Sequence, residues 1–425
     1  MSAPLSVLIV TDSFPPICGG SGWSTWELTR GLVARGHHVE VVKTDIVKGI
    51  AGVFDGTYEG VRVTNYAVRA PDIPVVRNLI KNEQLWSGLA EYLTQRLREH
   101  EVDIVHAQHV RTTVPSIRAG HATETPVVAT VRDYWPVCYW SDLIYDPTQP
   151  HLCPECSITM MRKCVLPRAG AASIAAWPLI PYMRRNLRTK RRTLAKADAV
   201  IAVSSAIARD LRERAPEIAA TPMFTIPNPV DMTALDKAYL ASARPLDGPY
   251  VLYAGKLATN KGVQYLPQAL ADAGIKMPLV VVGDGPLRGR FEADARARGI
   301  EVRSLGWLDR HDVWAWMRHA TMLAFPSYGP ESLSRVLLEG AALGAPIAAM
   351  NTGGTRDIID PGVAGLLSDD VAGFTSDLER LAGDERLRGA LGTAARADVH
   401  QRFSSVSVVE RVEQVYRSLL LPRAA

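Results

Sequence analysis

The segment TMLAFPSYGPESLSRVLLEGAALGAPIAAMNTGG, residues 321–354, contains the unit from which the fold can be predicted. It opens and closes with short apolar runs that are typical of buried strands. Between these runs the apolar residues follow helical spacing over residues 333–343, where Ser332 or Ser334 can cap the helix start and Gly344 can end it. Two strands joined by a helix form a βαβ unit, in which the strands lie parallel in one sheet.

The same alternation of short apolar runs and helical spacing extends outward through the whole chain. The predicted strands are residues 5–12, 38–43, 102–107, 126–131 and 197–204 in the first half, and residues 250–256, 278–285, 300–306, 321–327 and 346–354 in the second. Between the halves, residues 231–249 have weak periodicity and end in Pro and Gly, so the linker is placed there. The fold class is therefore α/β with two parallel sheets.

The length supports a two-domain organisation. A chain of 425 residues exceeds one ordinary core, and domains of about 200 residues each are expected. We predict an N-terminal domain over residues 1–235 and a C-terminal domain over residues 249–403. The remaining residues 404–425 have the spacing of an amphipathic helix, which we expect to return to the first domain.

Composition excludes several classes of protein. With 47% hydrophobic and 22% charged residues, the chain has enough apolar side chains for a large core and is not disordered. There is no apolar run long enough to span a membrane, and the first ten residues lack the features of a signal peptide, so a cytoplasmic location is expected. The net charge of +4 is too small to indicate nucleic-acid binding by itself.

Two glutamates bracket the start of the predicted helix at residues 333–343. Glu331 lies just before the helix, and Glu339 lies on a helix whose apolar residues cover most of its faces. A buried carboxylate needs a partner. Because side chains lean toward the start of a helix, Glu339 can accept hydrogen bonds from a pair of hydroxyls there, while the free N–H groups of the helix start bind an anion. A nucleoside diphosphate combines a ribose with such an anion.

Two other loops follow predicted strands and carry suitable residues. The segment AGKLATNKG places Lys256 and Lys261 where open α/β sheets bind ligands, and two ammonium groups suit a diphosphate, although a solvated loop would look the same. After the first strand, Gly19, Gly20 and Gly22 would allow close approach of a phosphate or sugar, or would simply form a flexible turn. Their spacing does not match the dinucleotide fingerprint.

Taken in order, the pair Glu331 and Glu339 and the segments AGKLATNKG, VVGDGPL, LGWL, AFPS and NTGGTRDII resemble the retaining nucleotide-sugar glycosyltransferases of family 4. Each motif is common by itself, but their ordered occurrence over nearly the whole chain is specific. The resemblance implies the GT-B fold, with two Rossmann-like domains facing across a cleft and the donor sugar nucleotide held mainly by the second domain. It implies no cofactor for catalysis.

The resemblance also assigns roles to individual residues. It places Lys256 and Lys261 on the donor diphosphate, Glu339 on the ribose and Glu331 on the transferred sugar. The other implied donor contacts are Gly19, Gly20, Gly283, Gly285, Trp307, Leu308, Leu333 and Ser334. Many relatives have a VHD triplet where this chain has VRD, with Arg132 and Asp133. Arg132 cannot act as a base at neutral pH, but it can bind a sugar hydroxyl or an anion.

The resemblance implies a retaining transfer of a hexose from a UDP or GDP sugar to an acceptor hydroxyl. The candidate catalytic residues are Glu331, Arg132, Asp133, Lys256 and Lys261. Developing charge on the leaving diphosphate is the main feature that they would stabilise. Two alternatives stay open at this point, namely another GT-B-like enzyme, such as an epimerase or a phosphorylase, and a non-catalytic protein that binds a nucleotide sugar or a membrane.

Four of the five cysteines lie close together in the sequence, at Cys138, Cys153, Cys156 and Cys164. In a cytosolic protein this grouping suggests structural zinc before disulfides, although the spacing is only partly typical. Reduced thiols and a redox pair are the alternatives, and His151 is a substitute ligand for zinc. Because the segment follows Arg132, we expect it on the acceptor side of the cleft.

The segment WPLIPYMRRNLRTKRRTLAK, residues 177–196, concentrates basic residues after an apolar start and contains no acidic residue. This combination can lie on an anionic membrane surface, although a solvated helix face is an equal alternative. Nucleic acid is disfavoured because the aromatic residues do not alternate with the basic ones. We therefore expect an enzyme at the cytoplasmic face of the membrane with a lipid-linked acceptor, or with a small soluble acceptor if the segment is merely solvated.

Overall fold

The computed structural model describes residues 3–73, 77, 79–146, 151–170 and 176–421. The chain folds into two compact units. The first consists of Met1–Ser141, Pro178–Pro229 and Ser405–Ala425, and the second consists of Asp142–Trp177 and Val230–Ser404. Both units contain a largely parallel sheet covered by helices, so the predicted α/β class with two sheets is confirmed.

The first unit is built on an eight-stranded sheet with strand order β10-β9-β6-β5-β1-β2-β4-β3. Its strands are β1 (Ser6–Thr11), β2 (His38–Val47), β3 (Gly52–Tyr58), β4 (Val61–Arg69), β5 (Ile104–Ala107), β6 (Val127–Val131), β9 (Ala199–Ala202) and β10 (Met223–Thr225). The five strands predicted for this half are present. The chain passes from β1 to β2 on one side and later returns to β5 on the other side, which opens a crevice beyond the ends of β1 and β5.

The sequence analysis did not predict the antiparallel hairpin of β3 and β4. Strand β3 pairs antiparallel with β4, which pairs parallel with β2. Most of β3 is exposed because it forms the edge of the sheet. An edge strand does not need the apolar run of a buried strand, so its sequence lacks the signal used to find the others.

The helices of the first unit cover both faces of its sheet. They are α1 (Gly20–Ala34), α2 (Leu85–Glu99), α3 (Val110–Thr123), α5 (Ile180–Leu194), α6 (Ser205–Arg214) and α15 (Ser405–Leu420). A short π-helical segment, Ile80–Gln84, precedes α2. Helix α15 packs against α1, with Val408, Val409 and Tyr416 in the same buried apolar cluster as the residues of β1. The expected return of the terminal helix is therefore observed up to Leu421, while residues 422–425 lie outside the described part.

Residues 142–177 group with the second unit, although they lie between β6 and α5 in sequence. They contain a small hairpin of β7 (Ile144–Asp146) and β8 (His151–Leu152), followed by α4 (Ile158–Ala169). Arg168 on α4 donates to the carbonyl oxygen of Ile144 at 2.7 Å and to the Asp142 carboxylate at 2.9 Å. These bonds fix the helix to the hairpin.

The second unit is built on a six-stranded parallel sheet with order β13-β12-β11-β14-β15-β16. Its strands are β11 (Val251–Ala254), β12 (Leu279–Val282), β13 (Val302–Gly306), β14 (Met322–Phe325), β15 (Ile347–Met350) and β16 (Leu366–Ser368). The five strands predicted for this half are present. Four of them are completely buried, as expected for a parallel sheet with helices on both faces.

The helices of the second unit are α7 (Met232–Ala241), α8 (Leu266–Asp272), α9 (Arg288–Ala297), α10 (Arg310–His319), α11 (Arg335–Ala342), α12 (Thr355–Ile358), α13 (Val371–Gly383) and α14 (Glu385–Phe403). The region that the sequence assigns to a linker therefore begins with a helix. Asp231 caps α7 by accepting from the N–H of Ala234 at 3.1 Å. The weak periodicity there reflects the few apolar contacts of this helix, since only Met232 and Leu235 are buried.

Candidate active site

The predicted donor-binding residues of the second unit lie in loops that follow adjacent strands. Strands β12, β11, β14 and β15 are neighbours and run parallel, so the loops after them meet at the carboxyl edge of the sheet. This edge is where open α/β sheets bind ligands. The strand order thus places the predicted loops along one edge of the sheet.

Glycines allow these loops to pack tightly. A Cβ atom at Gly283 would lie 2.1 Å from the carbonyl oxygen of Gly255, and one at Gly285 would lie 2.3 Å from that of Leu257. Gly283 also has φ +125°, a conformation that disfavours other residues. The contact between the loops after β11 and β12 therefore accounts for both glycines without a ligand.

The centre of the edge is an ion pair between two residues that were predicted independently. Lys261 Nζ donates to Glu331 Oε1 at 2.5 Å, and Ser327 Oγ donates to the same oxygen at 2.5 Å. Lys261 follows β11 and Glu331 follows β14, so neighbouring strands deliver them. Glu331 is buried, whereas Lys261 keeps about a third of its side chain exposed. The pair presents one cation and one carboxylate at the same point.

Lys256, Trp307 and Leu308 lie nearer to solvent. Lys256 is exposed, and its carbonyl oxygen accepts from the Tyr253 hydroxyl at 2.8 Å, which holds the loop after β11 in place. Trp307 is 74% exposed and Leu308 is half-buried in the segment after β13. A large exposed aromatic ring beside such an edge can stack on a flat ligand.

Helix α11 starts at this edge. Ser334 is its N-cap, and its hydroxyl accepts from the N–H of Leu337 at 3.4 Å. The sequence offered Ser332 or Ser334, and the structure selects Ser334. Leu333 and Ser334 are both buried, and within the described ranges their N–H groups donate to no backbone acceptor. Donors of this kind, together with the positive end of the helix dipole, suit a phosphate.

Glu339 is buried and has partners within the protein. Its Oε1 accepts from Arg335 Nε at 2.8 Å and from Arg310 Nε at 3.1 Å, and its Oε2 accepts from Trp314 Nε1 at 2.9 Å. Burial raises the pKa of Glu339, but the two guanidinium groups outweigh burial and hold the pKa below its usual value. The carboxylate is therefore ionised and held in one orientation by protein donors.

These three partners were missed by the sequence reading. Arg335 lies four residues before Glu339, a spacing that places both side chains on one face of a helix and that could have been noticed. Arg310 and Trp314 belong to α10, and only the packing of α10 against α11 brings them to Glu339. The guanidinium group of Arg310 also lies 4.5 Å from the ring centre of Trp314, which fixes both side chains.

In the first unit, Gly19 and Gly20 lie at the start of α1. Gly19 is the N-cap, and its carbonyl oxygen accepts from Gly22 at 3.0 Å and from Trp23 at 3.3 Å. A Cβ atom at Gly19 would have no atom within 4 Å, whereas one at Gly22 would lie 2.5 Å from the Cβ of Cys18. Packing thus requires glycine at position 22 but not at position 19, where open space would admit a ligand.

Arg132 is buried in the first unit and donates hydrogen bonds to neutral oxygens. Its Nε donates to Asn228 Oδ1 at 2.8 Å, and its Nη1 donates to the carbonyl oxygen of Gln108 at 3.1 Å and to Thr25 Oγ1 at 3.4 Å. The side chain is only 7% exposed. The residue that replaces the histidine of many relatives therefore ties the ends of several elements together.

Asp133 lies beside two residues that the sequence reading did not single out. His109 Nδ1 lies 3.9 Å from Asp133 Oδ2 and 3.8 Å from Asp12 Oδ1. Partial burial raises the pKa of Asp133 above its usual value, although His109 opposes this shift. The sequence could have indicated this grouping, because Asp12, His109 and Asp133 each lie at or just beyond the end of a predicted strand. These strands, β1, β5 and β6, are adjacent in the sheet.

The four cysteines predicted as a zinc site, Cys138, Cys153, Cys156 and Cys164, are not grouped as metal ligands in the described part of the chain. Cys138 belongs to the first unit, whereas Cys153, Cys156 and Cys164 belong to the second. Cys164 Sγ accepts from Arg168 at 3.0 Å. Within the described residues, no three His, Cys, Asp or Glu side chains form a group that could hold a metal ion. The side chain of His151 lies outside the described part, and the zinc hypothesis gains no support.

Helix α5 carries the basic segment, but not all of its cations face solvent. Lys190 is only 5% exposed, and Arg191 Nε donates to the carbonyl oxygen of Pro136 at 2.7 Å. The exposed cations on this helix are Arg184, Arg185, Arg188 and Arg192. Among the helices described, none combines the length and the apolar composition needed to cross a membrane.

Two family models match the chain. The model described as "Glycosyltransferase Family 4" matches residues 18–234, and the one described as "Glycosyl transferases group 1" matches residues 240–398. The two matches meet close to the boundary between the two units at Pro229. Together they cover most of the chain.

The names of the curated relatives state different substrates or products. A D-inositol 3-phosphate glycosyltransferase from Xylanimonas cellulosilytica is 29% identical, over 61% of this chain and 71% of that protein. A glycogen synthase from Mycobacterium tuberculosis is 24% identical, over 97% of this chain and 94% of that protein. An alpha-D-kanosaminyltransferase from Streptomyces kanamyceticus is 28% identical, over 41% of this chain and 46% of that protein.

Solved structures share the fold over nearly the whole chain. Sucrose-phosphate synthase from Thermosynechococcus elongatus superposes with a TM-score of 0.71 at 19% identity, covering 98% of this chain and 99% of that one. HepE from Anabaena in complex with UDP superposes with a TM-score of 0.67 at 17% identity, covering 97% of this chain and 100% of that one. These neighbours have the GT-B fold, which confirms the predicted architecture.

Proposed function

Because the chain belongs to glycosyltransferase family 4, we propose that it transfers a hexose from a nucleoside diphosphate sugar to an acceptor hydroxyl with retention of the anomeric configuration. The chain is a glycosyltransferase of the GT-B type. The identity of the sugar, the stereochemistry and the acceptor are the parts that we propose.

The observation that carries this proposal is the contact of Lys261 with Glu331 at the carboxyl edge of the second sheet. A cation suited to a phosphate and a carboxylate suited to sugar hydroxyls lie 2.5 Å apart, beside the start of α11. A sugar phosphate presents its phosphate and its hydroxyls next to each other in the same way. The arrangement therefore fits the bond that a glycosyltransferase breaks.

We propose leaving-group stabilisation as the main catalytic effect. Breaking the bond between sugar and phosphate adds charge to the diphosphate, which Lys256, Lys261 and the free N–H groups at the start of α11 would stabilise. A glycosidase-like mechanism needs two carboxylates flanking one bond. Glu339 is instead held by two arginines and a tryptophan, so we favour attack on the same face, with the leaving phosphate accepting the proton of the acceptor.

We propose a uridine or guanosine diphosphate as the leaving group, with uridine diphosphate as the first to test. HepE from Anabaena, which shares the fold, has been crystallised with UDP and with UDP-glucose. Glu339 would accept a hydrogen bond from a ribose hydroxyl through the lone pair that Oε2 keeps after accepting from Trp314. Trp307 and Leu308 would contact the base.

The test is a panel of nucleotide sugars with release of nucleoside diphosphate as the readout, in the presence and absence of a membrane extract. At least one donor should give release that depends on acceptor. Glu331→Gln should lower kcat by about tenfold or more, because a charged hydrogen bond to the sugar is lost, while the affinity for free nucleoside diphosphate changes little. Absence of release with every donor would overturn the proposal.

We further propose peripheral association with an anionic membrane and a lipid-linked acceptor, with a small soluble acceptor as the alternative. The exposed arginines of α5 form a basic face without intervening acidic residues. The apolar side chains Ile180, Met183 and Leu187 of this helix are buried in the first unit. Attraction to lipid would therefore be electrostatic, at about 1 kcal/mol for each cation near the surface.

Co-sedimentation with vesicles tests the membrane proposal. Binding should require anionic lipid and should fall steeply with added salt, because surface attraction is screened. Replacement of Arg184, Arg185, Arg188 and Arg192 by Gln should weaken it. Equal sedimentation with neutral and anionic vesicles would contradict the proposal, and so would the absence of sedimentation with both.

A further inference from the structure

We propose that the carboxyl edge of the first sheet binds a phosphate group of the acceptor, through Lys190 on one side and Arg111 with Lys81 on the other. This inference rests on the proposed function, since it names the class of acceptor that the transferase uses. It comes from a group of charged side chains in the first unit, separate from the proposed donor residues of the second unit.

Topology places the cluster at the crevice of the first sheet. Asp12 follows β1, His109 caps the helix after β5, and Asp133 follows β6. These strands are adjacent in the sheet, and the crevice between β1 and β5 is where the strand order reverses. Ligands of open α/β sheets bind at such switch points.

Lys190 is the residue that most requires an anion. Its side chain is 5% exposed, and its ammonium lies over the ring of Tyr139, 5.6 Å from the ring centre. No carboxylate within the described ranges lies at ion-pair distance from it. Burial lowers the pKa of Lys190 to about 8, although Asp133 opposes this shift, so the amine is still mostly charged at neutral pH. A buried ammonium without a carboxylate partner is costly, and a bound anion would offset that cost.

A second set of cations lies at the other end of the cluster. Arg111 Nε lies 3.6 Å from Asp12 Oδ2. Burial lowers the pKa of Lys81, and repulsion by Arg111 and by Arg77 adds to this shift, whereas Asp12 opposes it. The fold thus keeps two like charges near a single carboxylate. Such an arrangement is unfavourable by itself and is relieved by an anion.

His109 connects the two sets. Its Nδ1 lies 3.8 Å from Asp12 and 3.9 Å from Asp133, distances that exceed a hydrogen bond. Three cations, Lys81, Arg111 and Lys190, therefore accompany two carboxylates along one edge. Arg132, which donates to neutral oxygens, adds a further positive charge. The excess positive charge favours a phosphate, while the carboxylates and the imidazole can bind hydroxyls of the same acceptor.

The first test measures binding of inorganic phosphate to the full chain by calorimetry. Lys190→Met should weaken this binding by about tenfold or more, because a charge-assisted contact is lost. Lys196→Met is the matched control, since Lys196 is exposed beyond the end of the same helix and its replacement should leave phosphate affinity unchanged. The affinity for uridine diphosphate should be the same in both variants.

Thermal unfolding shows whether Lys190 binds phosphate or instead stabilises the fold. Replacing an uncompensated buried ammonium by an apolar side chain of similar size should maintain or raise the melting temperature. A lower melting temperature for Lys190→Met would indicate a structural lysine and would overturn the inference. Arg111→Gln provides an independent variant, because a third of its side chain is exposed, and it should also weaken phosphate binding.

A second test asks which kind of acceptor carries the phosphate, and it uses the nucleotide sugar that proves active in the donor assay. Glucose 6-phosphate and inositol 3-phosphate are compared with glucose and inositol in solution, and a polyprenyl diphosphate sugar is offered in vesicles. The phosphorylated acceptor that is used should lose about tenfold or more in kcat/KM with Lys190→Met. Preference for a neutral acceptor, or equal phosphate affinity in wild type and Lys190→Met, would overturn the inference. A different result would show that the proposed function is wrong. In that case no donor would release nucleoside diphosphate, while phosphate binding would still depend on Lys190.

Discussion

At the scale of single residues, Glu339 shows that a buried carboxylate can be held entirely by protein donors. Its position on a largely apolar helix predicted a need for a partner, and three protein donors satisfy that need. Burial by itself is therefore no longer an argument for a ligand at this position. Ribose binding by Glu339 stays a proposal, supported by the family and by the lone pair that Oε2 keeps.

We predict that Glu339→Gln lowers the free energy of unfolding by about 1.5–3 kcal/mol, because Arg310 and Arg335 lose a charged acceptor. The same variant should bind nucleoside diphosphate more weakly, since the ribose also loses its charged acceptor. Urea unfolding and titration calorimetry measure the two effects. Glu379→Gln, at an exposed position of α13, is the control and should change neither quantity. Unchanged stability of the Glu339 variant would show that the arginines do not depend on this carboxylate.

At the scale of elements, α15 is anchored to the first unit by charge as well as by apolar packing. Arg35 Nε donates to Glu413 Oε2 at 2.6 Å, and Arg417 donates to Glu413 Oε1 at 2.7 Å. Burial raises the pKa of Glu413, but these two hydrogen bonds outweigh burial and lower the pKa to about 2. Inside the unit, the Tyr416 hydroxyl lies 2.5 Å from His106 Nδ1, and His106 Nε2 lies 2.7 Å from Thr130 Oγ1.

The lowered pKa of Glu413 leads to a prediction about stability at different pH values. A carboxyl group whose pKa is lower in the folded state stabilises the fold above the pKa of the unfolded chain, about 4.5, and this contribution is lost as the pH falls toward 2. Glu413→Gln should therefore be less stable than wild type at pH 7, and the difference should shrink as the pH falls from about 5 to about 2. Denaturant unfolding across this range measures it. Glu410→Gln, exposed on the same helix, should follow wild type throughout, and a pH-independent difference for Glu413→Gln would contradict the prediction.

At the scale of the whole molecule, the two units have separate cores. One buried cluster joins β1, β2, α1 and α15, and another joins β11, β12, β14 and α13. The proposed donor residues Lys261, Glu331 and Glu339 all belong to the second unit, whereas the proposed phosphate site of the acceptor belongs to the first. Each ligand should therefore stabilise a different unit.

Scanning calorimetry should resolve two transitions, since separate cores can unfold separately. Glu413→Gln should lower only the transition of the first unit, which identifies it. Uridine diphosphate should raise the melting temperature of the other transition. At a hundredfold excess over Kd it should add about 2.7 kcal/mol to the unfolding free energy of that unit. A rise confined to the transition that Glu413→Gln lowers would contradict the assignment of the donor residues.

The strands could be read from the sequence because buried parallel strands are short runs of apolar residues, a local property. The helix start at Ser332 or Ser334 followed from similar local signals, but the contact between Lys261 and Glu331 was not predicted. The edge hairpin of β3 and β4 could not be read, since an exposed strand has no such run. The helix at Met232–Ala241 was missed for a related reason, because it buries few side chains.

The sequence by itself thus determined the α/β class, the two sheets, the family and the candidate residues at the carboxyl edge of the second sheet. Only the tertiary structure decided which partners hold Glu339, because Arg310 and Trp314 reach it through the packing of two helices. It also decided that Lys190 lies inside the first unit although it belongs to a run of exposed arginines. Charge can be counted along a chain, but burial and proximity depend on contacts between residues that are distant in sequence, and those contacts determine what a charged side chain can bind.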